Sequence, residues 1–168
     1  MGEREWRNTA PAAGDRIEAK GLMVKCLPPG GAALISGDLQ AAIAALAPGV
    51  AMIGLLDEMP GQGGFALRIA RDRALLCTAQ PLDAAPGWQG GYALSPADDL
   101  HTSIEITGDA EGMFLRSCLS VRAGSPSAMT LFAEKPCLVA RRAGAVRVWV
   151  PAPDMAEVWS RLALLVRG

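Results

Sequence analysis

The chemistry open to this chain starts with His101, the single histidine among 168 residues, preceded by the carboxylate pair Asp98 and Asp99. An imidazole beside two acids, at the start of an extended run, could move a proton or hold a polar ring, because histidine is the side chain that titrates nearest neutrality. Aspartate pairs before strands more often cap turns, so the same three residues also have a purely structural reading. Asp98 and Asp99 are the candidate ligand carboxylates, and Arg141 is the candidate cation. Arg141 stands with Arg142 and Arg147 around one hairpin turn, as Arg68, Arg71 and Arg73 stand around an earlier one. Guanidinium forks grip carboxylates well, although solvated hairpin tips carry arginine in any case. Triads and multi-histidine metal centres would have to be assembled around one imidazole, and the sequence assigns neither a catalytic residue nor a metal ligand.

The remaining reactive residues point the same way. Cys26, Cys77, Cys118 and Cys137 contain no Cys-x-x-Cys pair and have apolar neighbours, which reads as buried thiols in a reducing compartment. Gly61-Gln62-Gly63-Gly64 lacks a following Gly-Lys-Ser/Thr and leads into an extended run rather than a helix, so it is a connector before it is a phosphate loop. No Gly-x-Gly-x-x-Gly follows a strand. Sixteen basic residues against 17 acidic ones, with a pI near 5.8, provide no electrostatic footprint for nucleic acid or an anionic membrane. The N-terminal residues have no apolar signal core, and the apolar runs stop short of the roughly 20 residues of a membrane span. A cytoplasmic location is expected.

The elements that must position these residues follow from periodicity. Residues 1–20 are polar and aperiodic and are expected to form a mobile N-terminal arm. Leu22 to Cys26 reads as a strand ending at Pro28-Pro29-Gly30, with Ala32 to Ile35 a second strand able to pair beside it. Ser36-Gly37-Asp38 offers capping oxygens, and Leu39, Ile43 and Leu46 mark one face of a helix closed by Pro48-Gly49. Phe65, Leu67 and Ile69 alternate before the turn Arg71-Asp72-Arg73 and a second run to Thr78, a β-hairpin.

Pro81 to Pro96 is rich in proline and glycine and is taken as an irregular connection. Beyond it the order repeats: strand at His101 to Ile106, helix around Met113 to Leu119 capped from Thr107-Gly108-Asp109, and hairpin at Cys137 to Val150. A last helix carries Met155, Val158, Trp159, Leu162, Leu165 and Val166 at helical spacing, and Asp154 with Glu157 is close to a capping box. These patterns predict one α+β domain over 21–168, with pseudo-repeated halves at about 21–80 and 98–168. Each half is a strand-helix-hairpin unit of mostly antiparallel sheet with helices packed on it.

Four tryptophans outnumber three phenylalanines. Trp6 and Trp88 fall in segments read as irregular, Tyr92 lies in the same connection as Trp88, and Trp159 sits on the last helix. A large ring with little core to enter suits an interface, so Trp6, Trp88, Tyr92 and Trp159 are the candidate partner contacts.

Ile104-Glu105-Ile106-Thr107-Gly108-Asp109-Ala110, Leu115-x-x-Cys118-Leu119-Ser120-Val121, the segment Phe132 to Arg141 and Val158-Trp159-x-x-Leu162 carry a resemblance. Over roughly Leu100 to Leu165, with weaker support at Phe65 to Leu76, the chain resembles the gamma subunit of heterotetrameric sarcosine oxidase. That family is a small member of the folate-binding aminomethyltransferase-like fold group. The resemblance implies a non-catalytic accessory subunit of a flavoenzyme complex that oxidatively demethylates an N-methyl amino acid. It implies no cofactor bound by this chain, with FAD, FMN, NAD and tetrahydrofolate held by larger partner subunits. The alternative is a stand-alone folate-binding or aminomethyltransferase-like protein, in which Asp98 or Asp99 would hold the pterin and an arginine the glutamate tail.

Overall fold

The computed structural model describes residues 9–119 and 124–168. Twelve strands are described, and their hydrogen-bonded pairing sorts them into two sheets. The first contains β1 (Arg16–Ala19), β2 (Leu22–Cys26), β9 (His101–Thr107), β12 (Ala145–Pro151), β11 (Lys135–Arg142) and β10 (Met129–Phe132), in that spatial order. The second contains β7 (Gly87–Gln89), β8 (Tyr92–Pro96), β3 (Gly31–Gly37), β6 (Arg73–Thr78), β5 (Phe65–Ala70) and β4 (Ala51–Ile53). All named pairs are antiparallel except β4 with β5.

Period-two alternation gives each sheet two buried faces. Val139, Val148, Val150 and Ile104 face α2 (Met113–Cys118) and α3 (Met155–Arg167), while Leu138, Ala140 and Trp149 on the same strands face the second sheet. On that second sheet Leu67, Leu75 and Cys77 face inward, and Ala66, Ala74 and Leu76 turn out to α1 (Leu39–Leu46). The order of layers is therefore α2 and α3, sheet, sheet, α1. The expectation of an α+β arrangement of mostly antiparallel strands is met, with two sheets packed face to face and helices on the outer face of each.

Several expectations are corrected. The segment Arg16–Ala19, expected within a mobile arm, is strand β1, paired with β2 through Arg16↔Lys25 and Ala19↔Leu22. Strands β2 and β3 do not pair. Pro28 and Pro29 remove two backbone donors and fix an extended path, which carries the chain from one sheet to the other. Pro81 to Pro96 is not irregular throughout but contains the β7–β8 hairpin. Asp154 makes no side-chain cap; with Glu157 it pairs instead with Lys135, at 3.5 and 2.7 Å.

The repeat is deeper than strand, helix and hairpin. Each half opens with a hairpin that leaves its own half: β2 pairs with β9, and β8 pairs with β3. The motif Ile-Ser/Thr-Gly-Asp occurs at both junctions. A Cβ on Gly37 (φ +108°) would stand 2.6 Å from the Gly91 carbonyl oxygen, and one on Gly108 (φ +80°) 2.0 Å from that of Gly21. Both positions therefore need glycine for close approach as well as for φ. The following aspartates do the same work. Asp38 accepts from the N–H groups of Gln40 and Ala41, and Asp109 from those of Phe114 and Leu115.

Candidate functional site

A cleft of about 690 Å³ opens between the two sheets, where β9 and β12 of one face β3, β5 and β6 of the other. The register across β9 and β12 sets Arg147 opposite Glu105, Trp149 opposite Ser103 and Pro151 opposite His101. Alternation turns Arg147, Trp149, Ser103 and His101 to this inner face, while Ile104, Val148 and Val150 enter the helix-side core.

Each polar group has a definite position. Arg147 Nη2 donates to Glu105 Oε2 at 2.7 Å, a half-buried ion pair, while its Nε is enclosed and has no hydrogen-bond partner. His101 Nδ1 is likewise enclosed and unpartnered. Burial holds the His101 pKa below its ordinary value, since desolvation disfavours the imidazolium. Asp98 Oδ1 accepts the Ala32 N–H at 2.8 Å, tying the segment before β9 to β3. Asp99 is exposed at the cleft margin, and Arg142 Nη2 donates to the Gly61 carbonyl at 3.3 Å.

The apolar wall is Trp149 packed edge-on against Phe65, with ring centroids 5.7 Å apart at 68°, above Leu75 and Cys77. Burial pushes the Cys77 thiol up to about 12, a tendency that nearby Arg147 only partly offsets, so it stands as a neutral thiol. All four cysteines are buried and free, in line with their sequence context. The arrangement lines one cleft with an ion-paired arginine, an imidazole and an edge-on aromatic pair. Among the described residues no group of three His, Cys, Asp or Glu side chains is placed to hold a metal ion.

The sequence-predicted ligand residues separate. Asp98, Asp99 and His101 line the cleft together. Arg141 does not: alternation puts its side chain on the face opposite Arg142, and its backbone bonds to Asp57 and Met59. Arg147 and Trp149 went unselected as site residues, yet the run Val146-Arg147-Val148-Trp149-Val150 carried the signal. One arginine and one ring share a face opposite three valines, just as Glu105 sits between Ile104 and Ile106.

The interface candidates also differ among themselves. Trp88 is 71% exposed on edge strand β7. Tyr92 is 6% exposed inside the α1-side core and is not surface, because it is the first α1-facing position of β8. Trp159 is half-buried against the helix-side core, and Trp6 lies outside the described residues. Leu131 on edge strand β10 and Leu164 on α3 are exposed apolar residues that sequence reasoning did not select. No described helix is long and apolar enough to cross a membrane.

No family profile and no curated protein matches the chain. Among solved structures it is similar to a chain of the heterotetrameric sarcosine oxidase from Corynebacterium sp. U-96, determined in complex with pyrrole 2-carboxylate. The TM-score is 0.65 at 18% sequence identity, covering 90% of this chain and 87% of that one. The two chains share a fold over nearly the whole of both.

Proposed function

We propose that this chain is a non-catalytic accessory subunit of a sarcosine-oxidase-like multimeric flavoenzyme that oxidatively demethylates an N-methyl amino acid, filling the place of a gamma subunit. The observation that carries the reading is the fold match to a chain that works inside a heterotetramer, almost end to end on both sides. A whole-chain match favours a subunit of the same kind over a shared module inserted in a different protein, although a fold by itself fixes no chemistry. Exposed Trp88 and Leu131, each on an edge strand, add support, because unpaired edges and isolated rings are what an assembly covers.

In this reading the larger subunits hold FAD, FMN, NAD and tetrahydrofolate, and the complex is cytoplasmic. This chain contributes folded surface. The test is to express the full chain, tagged, together with the flavin- and folate-binding subunits of such an oxidase from the same source, and to purify through the tag. Recovery of one complex with flavin absorbance and sarcosine-dependent hydrogen peroxide formation is expected. A chain that elutes as a monomer, free of flavoprotein at every concentration, overturns the proposal.

The cleft favours a second reading, a stand-alone folate-binding or aminomethyltransferase-like protein, since Asp98, Asp99 and two arginines line one cavity. Calorimetry with tetrahydrofolate separates the two. A saturable heat from the isolated chain belongs to the second reading, and its absence to the first.

A further inference from the structure

Strand β7 is an outer edge of the second sheet, and the internal repeat supplies its counterpart on the first. Ser36 pairs with Ala93 as Thr107 pairs with Met23, so the β7–β8 hairpin corresponds to β1–β2. Both hairpins close through two residues of positive φ, Lys20-Gly21 at 53° and 84° and Gly90-Gly91 at 53° and 100°. One register therefore serves both, and Trp88 opposes Ala93 as Glu18 opposes Met23. Where one edge carries Glu18, exposed and ion-paired with Arg16, the other carries an indole that is 71% exposed.

Charged side chains on an outer strand deter pairing with another chain. Strand β1 has that protection in Arg16 and Glu18, whereas Gly87-Trp88-Gln89 of β7 has no charge. The ring is not a remnant of core packing. Tyr92 and Leu94 turn to the α1 side, so alternation holds Trp88 on the opposite face, at a position that the repeat keeps in solvent. Its backbone is open as well. The pair Gln89↔Tyr92 flanks the turn and is bonded across the hairpin, which leaves the N–H and C=O of Trp88 pointing off the sheet. Among the described residues, no backbone group outside the hairpin takes them.

An indole supplies about 150–250 Å² of contact, whereas a stable interface buries roughly 1,200–2,000 Å². A second copy paired along the three residues of β7 would add little beyond the two rings. The edge therefore suits a larger chain whose surface continues past it. We propose that β7 is the edge on which a larger subunit docks, laying an extended segment along Trp88 and receiving the indole in an apolar recess. This rests on the subunit reading and names the surface through which it works.

Co-expression of the full chain with the larger subunits tests the docking edge through Trp88→Glu, which installs the side chain type that the repeat carries at Glu18. At so exposed a site the melting temperature of the isolated chain should not change, while affinity for the complex should fall at least tenfold, as for an interfacial tryptophan. In the wild-type chain the Trp88 amide should exchange rapidly when free and at least tenfold more slowly in the complex. The exchange measurement needs no variant, so it decides the matter even if Trp88→Glu fails to fold. A wild-type complex that Trp88→Glu joins as tightly, or in which the Trp88 amide exchanges as it does in the free chain, overturns the docking edge and leaves the subunit reading standing. A wild-type chain that joins no complex overturns both. A dimer of the isolated chain that Trp88→Glu dissociates makes a second copy the occupant and likewise overturns the proposal.

Discussion

His101 links sequence to environment most directly. Its burial opposes the imidazolium, so the folded chain holds the proton less tightly than the unfolded chain. For a group whose folded pKa is depressed, the unfolded state takes up more protons as pH falls below the ordinary histidine value of about 6.5, so stability declines there and is retained above it. Titration of the imidazole by nuclear magnetic resonance should therefore give a midpoint below about 6.5. A His101→Gln variant should lose less stability than wild type between neutral pH and about pH 5 in urea unfolding. A midpoint at or above the ordinary value contradicts the burial. The glycines make a second residue-scale prediction. Gly108 and Gly49 both have positive φ, but a Cβ on Gly108 meets backbone at 2.0 Å while one on Gly49 meets nothing within 4 Å. Gly49→Ala should cost about 1 kcal/mol, the conformational penalty alone, and Gly108→Ala should cost at least about 2 kcal/mol more, because the Gly21 carbonyl must move. Equal losses in thermal unfolding would show that the close approach of the two hairpin junctions contributes nothing.

Elements were legible where one period dominated. The stripe on α3 is borne out in Met155, Val158, Leu162 and Val166, all buried, while Leu165 on the same stripe is 39% exposed. Asp38, within the segment Ser36-Gly37-Asp38, caps α1; β5 and β12 fall where apolar residues alternate, and β6 and β11 on continuous apolar runs. Three-residue β7 was not legible, because a glycine-rich run without alternation resembles a loop until a neighbouring strand supplies its hydrogen bonds. The capping box at Asp154 misled because it scores only spacing within the helix, and Lys135 from β11 competes for both carboxylates. A pair of α3 variants separates packing from propensity. Leu162→Ala removes a side chain with 0% exposure and should cost about 2–5 kcal/mol, whereas Leu164→Ala, at 72% exposure, should lie within about 0.5 kcal/mol of wild type. Similar losses at the two sites, measured by denaturant midpoint at constant m-value, would mean that α3 does not pack on the sheet through the Leu162 face.

At the scale of the whole molecule, the halves hold each other. Beyond the exchanged hairpins, segment 54–59 of the first half bonds to β11 through Leu56 N–H to Val139 O and Met59 N–H to Arg141 O. In return the Ala128 N–H of the second half donates to Arg68 O in β5. None of this was readable from periodicity, which reports what faces a core but not whose core it is, and the candidate cleft was hidden for the same reason. Its walls come from β9 and β12 on one side and β3, β5 and β6 on the other, so Asp98 and His101 could be seen as neighbours while Arg147, Trp149 and Phe65 could not be joined to them. The reciprocal pairing also makes a thermodynamic claim. Val24 sits on β2, in the first half, yet its side chain is fully buried in the core built by β9, β11, β12 and α3. Val24→Ala should therefore cost about 2 kcal/mol, and native-state hydrogen exchange should show that loss at β9 and β12 and equally at β3 and β6, because neither half retains a complete sheet once the other opens. Full protection surviving in one half while the other exchanges would mean that the halves are separate cooperative units. The exchanged hairpins would then be attachments between two domains instead of the means by which one domain closes.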